Sequence, residues 1–135
     1  MKELTLEAKV ERLDEVLAFI DGELEAAGCP MKTMMQIDIA AEELFVNVAN
    51  YAYAPGVGMV TVRVSVRENE RTAAVSFLDS GVPFDPLKKE DPDVSLPAEE
   101  REIGGLGIFM AKKTMDELRY EYAEGQNRLT MIKKL

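Results

Sequence analysis

Apolar and polar residues alternate over positions 2–9 (KELTLEAK), the period of a strand with one buried face. From 10 to 27 the spacing changes. Leu13, Val16, Leu17, Ile20 and Leu24 recur three and four apart, which predicts a helix that Gly28 stops before a Cys29-Pro30 turn. A second helix is predicted over 31–51, with Met35, Ile37, Ala40, Ala41, Leu44, Phe45 and Val48 on one stripe. Ala54-Pro55-Gly56 ends it. Period two returns in 59–67 (MVTVRVSVR) and 72–78 (TAAVSFL), and the short polar link between them predicts an antiparallel hairpin. Residues 83–102 hold Pro83, Pro86, Pro92 and Pro97, many charges and few apolar positions, so they read as a loop. A loop longer than about 15 residues in a compact domain is usually functional or disordered. A third, glycine-led helix is predicted over 104–118, with Met110, Met115 and Leu118 toward the core. Strands at 119–123 and 128–134 close the chain across a 124–127 turn.

The order β-α-α-β-β-loop-α-β-β predicts an α+β fold, a two-layer sandwich in which three helices cover one face of a mostly antiparallel sheet. The 135 residues favour one domain, 1–135. The apolar fraction of 47% and charged fraction of 30% are those of an ordinary globular protein. No stretch reaches the roughly 20 apolar residues of a membrane span. The opening Met1-Lys2-Glu3-Leu4 carries charge too early for a secretory leader, so a cytoplasmic protein without membrane attachment is expected. One cysteine and no histidine argue against a disulfide, a zinc site or a redox metal. The net charge of −9 repels phosphate backbones, so nucleic acid is not an expected partner.

Chemistry is concentrated in three short stretches. On the second helix Glu43 and Asn47 fall within roughly 40° of each other, and Asn50 lies on the same side. This polar line flanks the apolar stripe, at the edge of the buried face. So placed, the Asn47 amide suits a magnesium ion, which keeps several waters and takes one or two protein groups beside the oxygens of a polyphosphate, and Glu43 suits a water or hydroxyl. The plain alternative is a solvated acid and a satisfied amide. Asp79-Ser80-Gly81 follows an apolar strand. It reads as an ordinary turn, or as a carboxylate that accepts from an exocyclic amine beside a glycine that lets a ring approach the backbone. Phe84 is placed to flank a base or to pack in the core. Residues 104–107 (GGLG) precede a helix, whose unpaired N–H groups attract phosphate, although such a string is also a simple hinge. It fits neither the dinucleotide fingerprint nor a P-loop.

Together these motifs resemble the GHKL ATP-binding fold of gyrase, heat-shock chaperone ATPases, histidine kinases and MutL proteins. Within it the chain is most similar to the stand-alone anti-sigma-factor serine/threonine kinases of bacteria. The resemblance runs from the first strand to Lys134. It is carried by E-x-x-x-N (Glu43, Asn47), D-x-G-x-x-F (Asp79, Gly81, Phe84), the GGLG string and the following Ile108-Phe109-Met110 to Leu118. It implies ATP and Mg2+ as cofactors, Asn47 as the magnesium ligand, Asp79 as the adenine reader and Glu43 as the catalytic base. The cofactor-binding set is then Asn47, Asn50, Asp79, Gly81, Phe84, Gly104, Gly105, Leu106, Gly107 and Ile108, with an ATP lid over about 85–103. The implied substrate is a serine or threonine of an anti-anti-sigma (STAS-type) protein. Members of that branch are often homodimers that also sequester a sigma factor. The chain departs from the family pattern in having no histidine after Asn50 and in the displacement of Arg101 from the glycine string. The register of Thr130 against the family's terminal-strand threonine is left open. Two other readings stand beside the kinase: a non-catalytic ATP-dependent protein-binding switch, and a slow ATPase. A histidine kinase is disfavoured, since the chain has no histidine to phosphorylate.

Overall fold

A computed structural model describes residues 1–88 and 106–135. Most of the expected lid, with Gly104 and Gly105, lies outside the described residues. The elements are β1 (Lys2–Glu7), α1 (Leu13–Ala26), α2 (Met31–Asn47), β2 (Met59–Arg67), β3 (Thr72–Asp79), α3 (Leu106–Thr114), β4 (Glu117–Ala123) and β5 (Gln126–Lys134). A 3₁₀ turn (Val10–Arg12) leads into α1, a π turn (Val48–Ala52) follows α2, and a second 3₁₀ turn spans Pro86–Lys88. The strands form one sheet in the order β1-β2-β3-β5-β4. Every pairing is antiparallel. The expected two-layer α+β architecture is borne out, and among the described residues no helix is long and apolar enough to cross a membrane.

The alternation seen in the sequence sorts the two sheet faces. Val60, Val62 and Val64 of β2, Ala73, Val75 and Phe77 of β3, and Leu129 and Met131 of β5 are buried in one cluster with Val16, Ile20 and Leu24 of α1 and Ile37, Ala41 and Leu44 of α2. Each large side chain buried there contributes about 1.5–3 kcal/mol relative to leaving it in water. The opposite face is polar. It carries hydroxyl pairs, Thr5 with Thr61 at 2.9 Å and Ser76 with Thr130 at 2.8 Å, and exposed ion pairs such as Arg63 with Glu3 at 2.6 Å. Thr130 therefore faces away from the helical layer.

Gly28 stops α1 as expected, at φ +74°, where a side chain would be strained. The Cys29 N–H bonds to the Leu24 carbonyl at 3.0 Å and the Gly28 N–H to the Glu25 carbonyl at 3.0 Å, closing the carbonyls that a helix end leaves open.

The structure corrects five details. The α-helical part of the second helix ends at Asn47 and continues as the π turn. Met35 is 57% exposed rather than core, because it lies two residues, or about 200°, from the buried Ile37. Met110 is 46% exposed for the same reason: it stands two residues after the buried Ile108. The third helix ends at Thr114 rather than 118, because Glu117 and Leu118 pair with Ile132 and Met131 in the sheet. The closing turn is shorter than expected. Glu124 and Gly125 alone form it, both at positive φ (55° and 76°), and Ala123 pairs with Gln126. That is the two-residue hairpin geometry matched to strand twist, and it puts Asn127 inside β5.

Candidate functional site

The C-terminal half of α2, the end of β3 and the start of α3 meet at one end of the sheet. Between them lies a cleft of about 620 Å³ lined by Glu43, Val46, Asn47, Asn50, Tyr51, Phe84, Asp85, Pro86, Lys88 and Ile108. Directly behind it, a hollow of about 20 Å³ is lined by Asp79, Ala52, Val82, Tyr120, Asn127 and Leu129. Asn47, Phe84 and Pro86 border both. The sequence-distant motifs therefore do converge. A second recess, of about 510 Å³, lies on the polar sheet face among Arg63, Ser76, Arg119 and Arg128. It holds none of the motif residues.

The helix places the acid and the amide as their spacing requires. The Asn47 Nδ2 group donates to the Glu43 carbonyl at 2.9 Å and to Glu43 Oε1 at 3.1 Å, which turns the amide oxygen away from both. The carboxyl of Glu43 also lies against the first turn of α3. A Cβ built on Gly107 would stand 2.1 Å from both Glu43 Cδ and Oε2, so a side chain there would displace the Glu43 carboxyl from its place against α3. Ile108 is buried and lines the cleft. Lys113 sits over the Phe109 ring, 5.3 Å from its centroid.

The π turn shapes the opposite wall. π turns are frequent at functional sites, because the extra residue redirects the chain. Here the Ala52 carbonyl accepts the Val82 N–H at 2.8 Å, and a Cβ on Gly81 would stand 2.1 Å from that same carbonyl oxygen. The loop after β3 is thus pressed onto the end of the helical segment. Tyr53 braces the junction: its hydroxyl donates to the Met59 carbonyl at 2.6 Å and accepts from the Ser80 N–H at 2.8 Å. Tyr51 and Phe84 form an aromatic rim, with ring centroids 5.5 Å apart and planes tilted by 36°. Phe84 is 41% exposed and so is not core.

Asp79 is 4% exposed on the core face of β3. Its Oδ1 accepts the Gly81 N–H at 2.9 Å and the Asn127 Nδ2–H at 2.9 Å. Asn127, opposite it in the β3–β5 ladder, escaped the sequence reading because it was placed in the turn. Its signal was present: it shares parity with Leu129 and Met131, so once the turn is two residues long it is an amide on a core-facing strand position. Tyr120 and Tyr53 carried no comparable signal: Tyr120 meets Asn127 only once the β4–β5 register is known, and Tyr53 bonds to main-chain groups. Burial is the main reason the Tyr120 phenol is pushed above its usual range. Of the expected site residues, Glu43, Asn47, Asn50, Phe84 and Ile108 line the cleft and Asp79 the hollow, while Gly81 and Gly107 are close-approach points. Leu106 opens α3.

A sequence profile described as the histidine kinase-like ATPase domain matches residues 6–133, almost the whole chain. The chain belongs to this family. An ATPase domain of this kind binds ATP, and the fold described above is the family's. Among relatives, the serine-protein kinase RsbW of Listeria monocytogenes is 31% identical over 127 residues, covering 90% of this chain and 80% of that one. The serine/threonine-protein kinase BtrW of Bordetella bronchiseptica is 24% identical over 95 residues, covering 70% of this chain and 66% of that one. This ATPase domain thus spans from just under two thirds to about four fifths of the length of those relatives. In structure it resembles the RsbU and RsbW domains of a Mycobacterium tuberculosis protein, with a TM-score of 0.66 at 18% identity. That match covers 100% of this chain and 33% of the other, and it bears on the fold alone.

Proposed function

We propose that the chain is an ATP-dependent serine/threonine protein kinase of the anti-sigma type, and that Glu43, Asn47 and Asp79 carry its chemistry. The observation behind this reading is the convergence of those three side chains on one cleft and its rear hollow. The names of the relatives point the same way.

In this reading Asp79 accepts a hydrogen bond from the exocyclic amine of adenine, Gly81 leaves room for the ring, and Tyr51 and Phe84 flank the base. The polyphosphate runs along the cleft past Asn50 toward the start of α3. There Leu106, Gly107 and Ile108 would supply main-chain N–H groups and the positive end of α3, and Gly104 and Gly105, outside the described residues, belong to the same expected set. The residues present fit a magnesium ion. The Asn47 amide presents its oxygen away from Glu43, and a neutral ligand suits a metal whose charge is met by phosphate oxygens. Bound there, magnesium would neutralise phosphate charge.

Phosphoryl transfer asks the protein mainly for positioning and charge stabilisation. Glu43 stands at the cleft, within reach of the Asn47 amide and the first turn of α3, where it would orient and deprotonate an incoming hydroxyl. The acceptor would be a serine or threonine of an anti-anti-sigma (STAS-type) protein. Sequestration of a sigma factor and homodimer formation belong to the same reading, as does a cytoplasmic setting. Incubation with γ-labelled ATP, magnesium and a candidate anti-anti-sigma protein should label a serine or threonine. The Glu43→Gln variant should bind ATP with affinity within about threefold of the parent and transfer no label. Normal transfer by that variant would remove Glu43 from the mechanism. Binding without any label in the parent would favour a nucleotide-gated binding switch, and phosphate release without a partner a slow ATPase.

A further inference from the structure

Asn127 is 5% exposed and uses every hydrogen-bonding position its side chain has. Its amide nitrogen donates to Asp79 Oδ1 at 2.9 Å and to the Val82 carbonyl at 2.8 Å. Its oxygen accepts the Phe84 N–H at 3.1 Å and the Tyr120 hydroxyl. The orientation of the amide is forced. The Val82 carbonyl can only accept and the Phe84 N–H can only donate, so a flipped amide would lose both. One side chain on β5 therefore holds both ends of the 79–84 segment and the carboxyl group between them and the sheet.

The consequence for Asp79 is directional. Both donors, the Gly81 N–H and the Asn127 amide, fall on Oδ1. The carboxylate is pinned by that oxygen, and Oδ2 is left to meet a ligand. A carboxylate oxygen accepts and does not donate, so the group that fits beside it is an N–H and not a carbonyl. A fully satisfied buried network of this kind specifies one geometry, whereas a partly satisfied one does not.

We propose that Asn127 is a positioning residue that makes the base site selective for a 6-amino purine over a 6-oxo purine. This rests on the reading that Asp79 meets the edge of the base. The logic is asymmetric. A 6-amino purine gains from a carboxylate held at one angle, whereas a 6-oxo purine in the same pose turns a carbonyl toward it and reaches it with its N1–H only by shifting in the site. Removing Asn127 therefore lowers affinity for the first and leaves the second nearly unchanged. General damage to the hollow would lower both alike. Tyr120 supports the amide from behind, and its phenol, a donor at neutral pH in any case, is pushed further above its usual range by burial.

The test is calorimetric titration of the parent, Asn127→Ala and Tyr120→Phe with magnesium-ATP and magnesium-ITP, which differ at the exocyclic group and at the adjacent ring N1, an acceptor in adenine and an N–H in hypoxanthine. Circular dichroism checks that each variant is folded. The parent should prefer ATP by at least about 100-fold, because sites built to hydrogen-bond a substrate group reject analogues that lack it strongly. Asn127→Ala should weaken ATP binding by about 10- to 100-fold, the range for a hydrogen bond to a charged group, and change ITP binding by less than about twofold. Tyr120→Phe removes only the hydroxyl and keeps the ring, so it should fold even if Asn127→Ala does not. Its ATP-to-ITP ratio should fall by about two- to fivefold, one neutral hydrogen bond's share. If the parent prefers ATP but the variants lose both nucleotides in equal proportion, or neither, the role of Asn127 is overturned and that of Asp79 stands. A parent with no preference for ATP over ITP would overturn both.

Discussion

A methyl group on Gly81 has nowhere to go. Built on the observed backbone, it lies 2.1 Å from the Ala52 carbonyl oxygen, 2.5 Å from the carbonyl carbon and 2.8 Å from the Ala52 Cβ. Two of these atoms are backbone at the end of the π turn and cannot rotate aside. The loop must retreat by about 0.9 Å to reach even a 3.0 Å contact. That retreat would stretch the Val82 N–H bond to the same carbonyl from 2.8 Å to beyond hydrogen-bond range. Overpacking of this kind costs about 1–3 kcal/mol, and the lost bond about 1 kcal/mol more. The two are neighbours and not independent, so Gly81→Ala should cost about 2–4 kcal/mol in all. For a chain of this length that corresponds to a drop in Tm of roughly 6–15 °C. Because the retreating loop carries the Gly81 N–H away from Asp79 Oδ1, ATP affinity should fall by at least about tenfold, one charge-assisted hydrogen bond's worth. Urea unfolding followed by circular dichroism measures the first effect and calorimetry with magnesium-ATP the second. Gly22→Ala is the control. It lies inside α1 with nothing within 4 Å of the added carbon, and should gain about 0.5–1 kcal/mol. A Gly81→Ala protein as stable as the parent, with unchanged ATP affinity, would show that contact with Ala52 does not hold the loop.

Three further outcomes are expected. Asn47→Ala should abolish the magnesium dependence of ATP binding; equal affinities with magnesium and with a chelator in the parent would contradict the ligand assignment. Gly107→Ala pushes only against the flexible end of Glu43, so stability should fall by no more than about 1 kcal/mol, at the low end of overpacking costs, while phosphoryl transfer drops at least about tenfold. Retained transfer by that variant would mean that the contact is incidental. Away from the site, burial first, and then a hydrogen bond and repulsion from Asp21, push the Asp38 carboxyl up to about 7. Its unfolded value is about 3.9, so between pH 4 and 7 the folded state keeps a proton the unfolded state has released, and stability falls as pH rises through that window. Asp38→Asn should match the parent near pH 4 and exceed it at pH 8. Parallel stability curves across that range would refute the assignment.

The fold was legible where one physical signal dominated. Alternation in 59–67 and 72–78 gave two strands and their facing valines, because a strand with one wet face must alternate. The order in which the strands lie side by side is a different matter: the placement of β5 between β3 and β4 is a long-range pairing, and no local pattern encodes it. The site shows the same division. Glu43 and Asn47 could be placed together because four residues make one helical turn. Asp79 could be proposed but not paired, because its partner Asn127 comes from 48 residues further along. Asn127 was lost to one misjudged turn, in which Glu124 and Gly125 do the work assigned to four residues. Met35 was misassigned by a stripe drawn too wide, and with Met31 and Ile39 it lies on the exposed side of α2. Tyr53 was invisible because it bonds to main-chain groups at Met59 and Ser80, which any sequence could supply.

The bare crossing at Gly107 has a mechanical consequence. With no side chain on Gly107, the carboxyl end of Glu43 and the opening turn of α3 share one contact surface, and the flexible acid is the part of it that can yield. Any occupant that draws the turn inward must move the acid with it or swing it aside. Arrival of a ligand at one helix is then felt by the other within a single van der Waals contact, and the loaded and empty forms of the cleft would differ first in where that carboxyl points.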